Sequence, residues 1–342
     1  MMHVKLNNLE LVNFPYLSEI KSAIEGVVQS NIFLRGAQAD LFETEWAQYC
    51  GQEYCIACKN GTDALTLSAR AMGLKEVFVQ DNTLPLTAQG LSLGGAQVNL
   101  IDVDANGRGV PLDASSNWVP VLLYGRLPSA AEQKQTLFDA AHAHGWRPPQ
   151  HATACWSFYP TKTLGAFGDT GAITTNDLAL VNELKSLCGR DDQMRNPYQL
   201  NSRIDELQAA ILRVKLRHLD YFIGERKRIA TLYRVHMHPL IEFISHNDHD
   251  LHHLLVIRVK KYRDQLQEYL RKYEIETKVH FPTPLHTISS NWKAPLTSYP
   301  GSDSWSSQVL SIPCYPNMDE TSILYVCERI NAFLDSAKTE YD

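Results

Sequence analysis

No run of apolar residues in the sequence approaches the ~18 needed to read as a transmembrane helix. Basic residues are outnumbered, 32 Lys and Arg against 38 Asp and Glu, and no basic stretch of useful length occurs. A net charge of −6 therefore excludes general attraction to nucleic acid or an anionic membrane. Any phosphate-bearing ligand must be held locally. No charged segment followed by an apolar stretch opens the chain, so a cytoplasmic, soluble protein is expected. The seven cysteines are odd in number and scattered, which is no disulfide framework. Cys55 and Cys58 form a lone C-x-x-C without a second pair at zinc-site spacing, and read as buried thiols. The histidines of His249-Asp250-Leu251-His252-His253 read as a loop leading into a strand edge, so no metal site is expected. Also missing are G-x-G-x-x-G, Walker A and G-x-S-x-G patterns, which removes the common nicotinamide, nucleoside triphosphatase and α/β-hydrolase readings.

What is present centres on Ser157-Phe158-Tyr159-Pro160-Thr161-Lys162-Thr163-Leu164-Gly165-Ala166, with a hydroxyl five residues before a lysine among small and apolar neighbours. A lysine amine is protonated at neutral pH unless its surroundings disfavour the charge, and this setting suits imine chemistry. Asn60-Gly61-Thr62-Asp63 follows a strand-like run and opens a helix-like one, so backbone N–H groups and the Thr62 hydroxyl can hold a phosphate. Asp139 ends the short apolar run Leu137-Phe138, where its carboxylate can pair with a protonated ring nitrogen. Taken singly, the lysine reads as a solvated surface residue and Asn-Gly-Thr as an ordinary turn into a helix cap. Taken together they describe a pyridoxal 5′-phosphate site, which needs an amine, a phosphate anchor and an acid at the pyridinium nitrogen.

At 342 residues and 44% hydrophobic content, the chain can fill a large core and exceeds the usual single domain. Leu17, Ile20, Ile24 and Val27 mark one helix, and Leu41, Phe42, Trp46 and Tyr49 a second. Strands at Tyr54 to Cys58, Glu76 to Val79, Gln97 to Ile101 and Val119 to Leu123 alternate with helices at Asp63 to Met72 and Thr83 to Leu93. That alternation predicts an α/β fold with a mostly parallel sheet and helices on both faces. Pro128 to Gln135 reads as a modest helix. Gly171 to Thr174 reads as a further strand, and one long helix is expected from just after Asn201 through Leu219 towards Tyr233. The strands Leu254 to Val259 and Thr277 to Phe281, with helices Tyr262 to Tyr273 and Glu320 to Phe333, predict a smaller C-terminal α+β unit. Two domains result, 1–225 and 226–342.

The order of segments resembles the DegT-type sugar aminotransferases, fold-type I pyridoxal phosphate enzymes that act on nucleotide-linked keto sugars. The likeness runs from Phe42-Glu43-Thr44-Glu45-Trp46 through Asn60-Gly61-Thr62-Asp63-Ala64-Leu65, Asp139-Ala140-Ala141-His142-Ala143-His144-Gly145 and the lysine loop. It continues in Asn201-Ser202-Arg203-Ile204-Asp205-Glu206, His280-Phe281-Pro282-Thr283-Pro284-Leu285-His286 and Leu310-Ser311-Ile312-Pro313, so it covers nearly the whole chain.

The resemblance implies Lys162 as the Schiff-base lysine, Asp139 at the pyridinium nitrogen, and Gly61, Thr62 and Ser157 at the phosphate. It implies that Asn201 reaches the phosphate held by a neighbouring subunit, hence a homodimer with shared active sites. L-glutamate is the implied amino donor. The implied acceptor is a nucleotide-linked keto-deoxy sugar aminated at carbon 3, such as a dTDP-3-keto-6-deoxyhexose, with carbon 4 or a keto-cyclitol as alternatives. His280 and His286 are placed towards the sugar, or equally in a rigid interdomain strand. Arg203 reads equally as a structural ion-pair partner. Four positions depart from the family pattern: His142 stands for a glutamine, Leu84 for the aromatic that covers the ring, Thr163 for an asparagine and Gln199 for a glycine. The stretches flanking Asp139 are also short, which leaves a non-catalytic binding or regulatory subunit as the second reading.

Overall fold

The computed structural model describes residues 2–111, 117–190, 196–244, 249–288 and 292–337. Helices α1 (Leu9–Asn13), α2 (Leu17–Ser30) and α3 (Ala37–Cys50) lead into strand β1 (Tyr54–Cys58). Then follow α4 (Gly61–Ala71), β2 (Glu76–Gln80), α5 (Pro85–Leu93), β3 (Gln97–Ile101), β4 (Leu137–Asp139), β5 (Thr153–Ser157), β6 (Gly171–Thr175) and α6 (Leu178–Leu187). β2 pairs parallel with β3 and β4 parallel with β5, while β6 runs antiparallel between β5 and β1. Parallel bridges from Phe78 to Trp118 and from Val121 to Asp139 join the two ladders. The resulting order is β3, β2, 118–121, β4, β5, β6, β1. Only β6 is reversed, so the α/β architecture with a mostly parallel sheet stands. Strands such as β5 and β6 are buried along nearly their whole length, as a sheet covered on both faces requires.

One core cluster packs α4, α5 and α6 on one side of the sheet. The other joins Phe42 and Trp46 of α3 to Phe138, Trp156 and Phe158. The chain then continues through α7 (Glu206–Leu216), α8 (Leu219–His236), β7 (Glu242–Phe243), β8 (Leu255–Arg258), α9 (Arg263–Lys272), α10 (Pro300–Gln308), β9 (Val309–Ile312) and α11 (Glu320–Ala337). β7, β8 and β9 form an antiparallel sheet, and Val4 and Val12 from the N-terminal segment pack into its core. Residue 225 lies within α8.

Four expectations change. The long helix after Asn201 is two helices, because His218 leaves helical geometry (φ −111°, ψ 5°) and stacks on Tyr16 with ring centroids 4.0 Å apart. The strand expected from Val119 to Leu123 is reduced to the bridges at Trp118 and Val121. The chain must turn at Tyr124, which is left-handed at φ +66°, and at Gly125, at φ +85°. The strand expected over Thr277 to Phe281 is a single bridge from Lys278 to Ser311. The His280 carbonyl accepts from the Tyr124 hydroxyl at 2.5 Å instead of joining a ladder. Finally, the helix expected over Pro128 to Gln135 is one 3-10 turn at Glu132–Lys134, too short a segment for more before β4 begins.

Candidate active site

Asn60 leaves β1 in an extended conformation, and its Oδ1 accepts from the Asp63 N–H at 2.7 Å, which caps α4. Gly61 then brings the helix N-terminus against the end of β5: a Cβ there would sit 2.8 Å from the Ser157 Cβ. Gly171 allows the same closeness from β6, since its Cβ would come 2.4 Å from the Asn60 carbonyl carbon. Ser202 fastens the start of the helix, its hydroxyl donating to Asp63 Oδ2 at 2.6 Å and accepting from the Lys59 N–H at 3.0 Å. The positive end of α4, Thr62 and Ser157 thereby share one wall of a cavity of about 420 Å³, within the range of small-molecule sites.

Asp139 and Lys162 line the same cavity. The Asp139 side chain is buried; Oδ2 accepts from the Thr87 hydroxyl at 2.8 Å and Oδ1 from the Ala141 N–H at 3.1 Å. Burial pushes its carboxyl above the usual range, while the two hydrogen bonds and the Lys162 charge pull it back. Burial pushes the Lys162 amine down to about 8, opposed by Asp139. The cavity thus holds an amine whose pKa burial has lowered, a buried carboxylate with oriented oxygens, and a helix N-terminus. These groups fit a phosphate-bearing ring cofactor such as pyridoxal 5′-phosphate, which needs all three. Leu84 caps α5 just before Pro85 and, with Leu86, forms an exposed aliphatic lip on the cavity.

Four expected site residues, His142, His280, His286 and Asn201, do not line this cavity. His142 is not on the cavity wall; its Nδ1 accepts from the Tyr124 N–H at 3.2 Å and its ring lies against His253. The His280 Nδ1 is 2.8 Å from the Ser311 hydroxyl. His286 is clamped by Asp81, with its N–H and Nδ1 each 2.7 Å from a carboxylate oxygen, and its ring stacks on Tyr299. Asn201 is exposed, off the cavity of its own chain, and accepts from Arg203. Thr87 was not singled out from sequence, although it lies in the first turn of α5. Asp81 offered no signal at all, since its partner is 205 positions away.

Histidines crowd the region behind Lys162. Burial pushes His144 down to about 3 and His280 and His252 to about 4, and holds His142 and His253 well below their ordinary value. These folded values lie below the unfolded one, so the unfolded chain gains protons first as pH falls. Stability is therefore full above about pH 6.5 and declines towards pH 4, by about 1.4 kcal/mol per pH unit for each fully buried imidazole. Urea midpoints measured from pH 7.5 to 5 are expected to hold to about pH 6.5 and fall below it; a flat profile contradicts neutral burial. Among the described residues no cluster of His, Cys, Asp or Glu is arranged to hold a metal ion, and no helix is long and apolar enough to cross a membrane.

The model of the DegT/DnrJ/EryC1/StrS aminotransferase family matches residues 17–113 and 129–331. The chain belongs to this family. It is an aminotransferase, as its segment order implied. A dTDP-3-amino-3,6-dideoxy-alpha-D-galactopyranose transaminase from Aneurinibacillus thermoaerophilus is 36% identical, over 95% of this chain and 98% of its own length. A UDP-2-acetamido-2-deoxy-3-oxo-D-glucuronate aminotransferase from Pseudomonas aeruginosa is 30% identical, over 91% of this chain and 95% of its own. The crystal structure of DesV from S. venezuelae in complex with a ketimine intermediate superposes with a TM-score of 0.89 at 30% identity, covering 97% of this chain and 99% of that one. Family membership and fold therefore agree with the α/β aminotransferase read from the sequence.

Proposed function

We propose that this protein transfers an amino group from L-glutamate to carbon 3 of a nucleotide-linked keto-deoxy sugar, with pyridoxal 5′-phosphate as cofactor, in amino-sugar biosynthesis. The observation that carries the reading is the convergence of Lys162, Asp139, Thr62 and Ser157, from three separate segments, on one cavity. When bound, the cofactor ring takes up the electron pair left on the carbon that carries the amino group. The chain's own residues do the rest. The α4 N-terminus, with Thr62 and Ser157, binds the phosphate and fixes where the ring lies. Asp139, oriented by Thr87 and the Ala141 N–H, holds a proton on the ring nitrogen. Lys162, at about 8, is partly neutral near neutral pH and so can act as nucleophile and then carry a proton to and from the reacting carbon. Leu84 and Leu86 supply an aliphatic cover that limits water.

Carbon 3 is favoured because both relatives above carry an amino or oxo group at that position in their names, whereas one is dTDP-linked and the other UDP-linked. The purified protein, supplied with glutamate and a panel of 3-keto and 4-keto sugars on dTDP and UDP, should aminate a 3-keto member. Amination confined to 4-keto sugars overturns the position, and none at all overturns the activity. The same reading makes the protein a cytoplasmic homodimer with 1–225 as the cofactor-binding domain and 226–342 as the smaller one.

Sharing of sites is supported by Asn201, exposed outside its own cavity, and by the exposed apolar residues Ile32, Phe33 and Leu34 next to the Leu34–Asp205 bridge. Mixing inactive Lys162→Ala and Asn201→Ala subunits should restore roughly a quarter of wild-type activity, because half of randomly paired dimers regain one intact site. No recovery despite proven subunit exchange contradicts sharing.

A further inference from the structure

Thr163, His253 and His142 form a chain of side chains to which the reading above gives no role. Thr163 directly follows Lys162 and is buried, with its Oγ1 3.2 Å from the His253 Nδ1. The His253 ring lies against that of His142, centroids 4.5 Å apart and planes inclined by 43°. His142 ends the chain: its Nδ1 accepts from the Tyr124 N–H, so its single proton sits on Nε2. The backbone of His253 is fixed as well. Its carbonyl accepts from Arg226 Nη1 at 3.0 Å, and a Cβ at Gly125 would come within 2.9 Å of its nitrogen.

The lysine loop does not need this chain in order to fold. Lys162 N–H donates to the Tyr159 carbonyl and Ala166 N–H to the Phe158 carbonyl, both at 2.8 Å, and Lys215 Nζ donates to the Gly165 carbonyl at 2.6 Å. Those bonds set the course of the loop; none of them holds the side chain adjacent to the lysine. Burial keeps both imidazoles neutral, with Lys162 opposing their protonation. A neutral His253 offers one N–H and one lone pair, so it can hold the Thr163 hydroxyl in either sense. It also adds no charge beside an amine that must shed its own, which a lysine or aspartate at this place would do.

We propose that His253 is a positioning residue for Lys162. By holding the Thr163 hydroxyl while braced on His142, it fixes the backbone beside the lysine and hence the direction in which Nζ enters the cavity. The inference rests on Lys162 being the reactive amine, and it assigns work to two of the positions at which the chain departs from its family, 142 and 163.

The test uses the full-length protein freed of cofactor, with Thr163→Val, His253→Phe, the double variant and Thr163→Ser. It measures the rate at which added pyridoxal 5′-phosphate forms a borohydride-reducible bond, read by mass, alongside kcat and KM. Thr163→Val and His253→Phe should each slow bond formation and kcat by roughly 10- to 100-fold with KM for the keto sugar unchanged, since small misplacements of a reacting group have effects of that size. The double variant should be no slower than the slower single one, and Thr163→Ser should restore the rate. Wild-type rates in Thr163→Val, or losses that multiply in the double variant, overturn the positioning role alone. A wild-type protein that forms no bond overturns this role together with the proposed function.

Discussion

Lys162→Ala is expected to abolish transamination, by about 10⁴-fold or more, and to replace the imine absorbance band that the wild-type protein acquires with pyridoxal 5′-phosphate by that of the free aldehyde. The size follows from the two tasks that fall on one amine, nucleophilic attachment and proton transfer, the second alone being worth up to about 10⁴-fold. The fold should survive, because the loop is held by the backbone bonds at Tyr159 and Phe158 and not by the lysine side chain. Cofactor should still bind, through the α4 N-terminus, but non-covalently and removable by dialysis. Retained turnover, or an unchanged absorbance band, would mean that the reactive amine is elsewhere. Among the described residues Lys215 is the other lysine pushed down to about 8, and its Nζ is committed to the Gly165 carbonyl beneath the loop.

Asp139→Asn is expected to lower kcat by roughly 10²- to 10³-fold, the usual scale for deleting one preorganised electrostatic partner. Asparagine keeps the volume, and its oxygen can still accept from Thr87 or the Ala141 N–H, so little structural loss should accompany the change. A second, opposite effect separates this role from general damage. The Asp139 charge raises the Lys162 pKa, so removing it should drive that pKa further down. In cofactor-free Asp139→Asn the lysine should therefore react faster with an amine-directed reagent at pH 7 while catalysis is slower. If both rates fall together, or if Lys162 titrates as in the wild type, the electrostatic pairing of the two residues is wrong.

The parts of the site that were legible in the sequence are those made by short segments. Asn60 to Asp63 announces a capped helix start because capping is a local arrangement, and it is realised by one bond between residues three apart. Lys162 and Asp139 stand out through their immediate neighbours, small residues in one case and the end of an apolar strand in the other. The role of His142 was less legible. Its distance of three residues from Asp139 suggests a place on the cavity wall, yet the left-handed turn at Tyr124 offers it an N–H and His253 offers it a ring. His286 is likewise held by a distant residue, Asp81. Periodicity likewise ran straight through residues 217 and 218, where the pull of Tyr16 on His218 ends one helix and begins the next.

From sequence alone come the α/β class, the family, and Lys162, Asp139 and the capped start of α4 as the candidate site. Each site segment is written in contiguous residues, and backbone capping and strand patterning act over that same range. Tertiary structure alone decided that β6 runs backwards between β5 and β1, that Thr87 orients Asp139, and that Thr163 meets His253 across 90 positions. Those pairings depend on which segments the packed sheet and its helices bring side by side, and the energy of such contacts leaves no periodic trace in the order of residues.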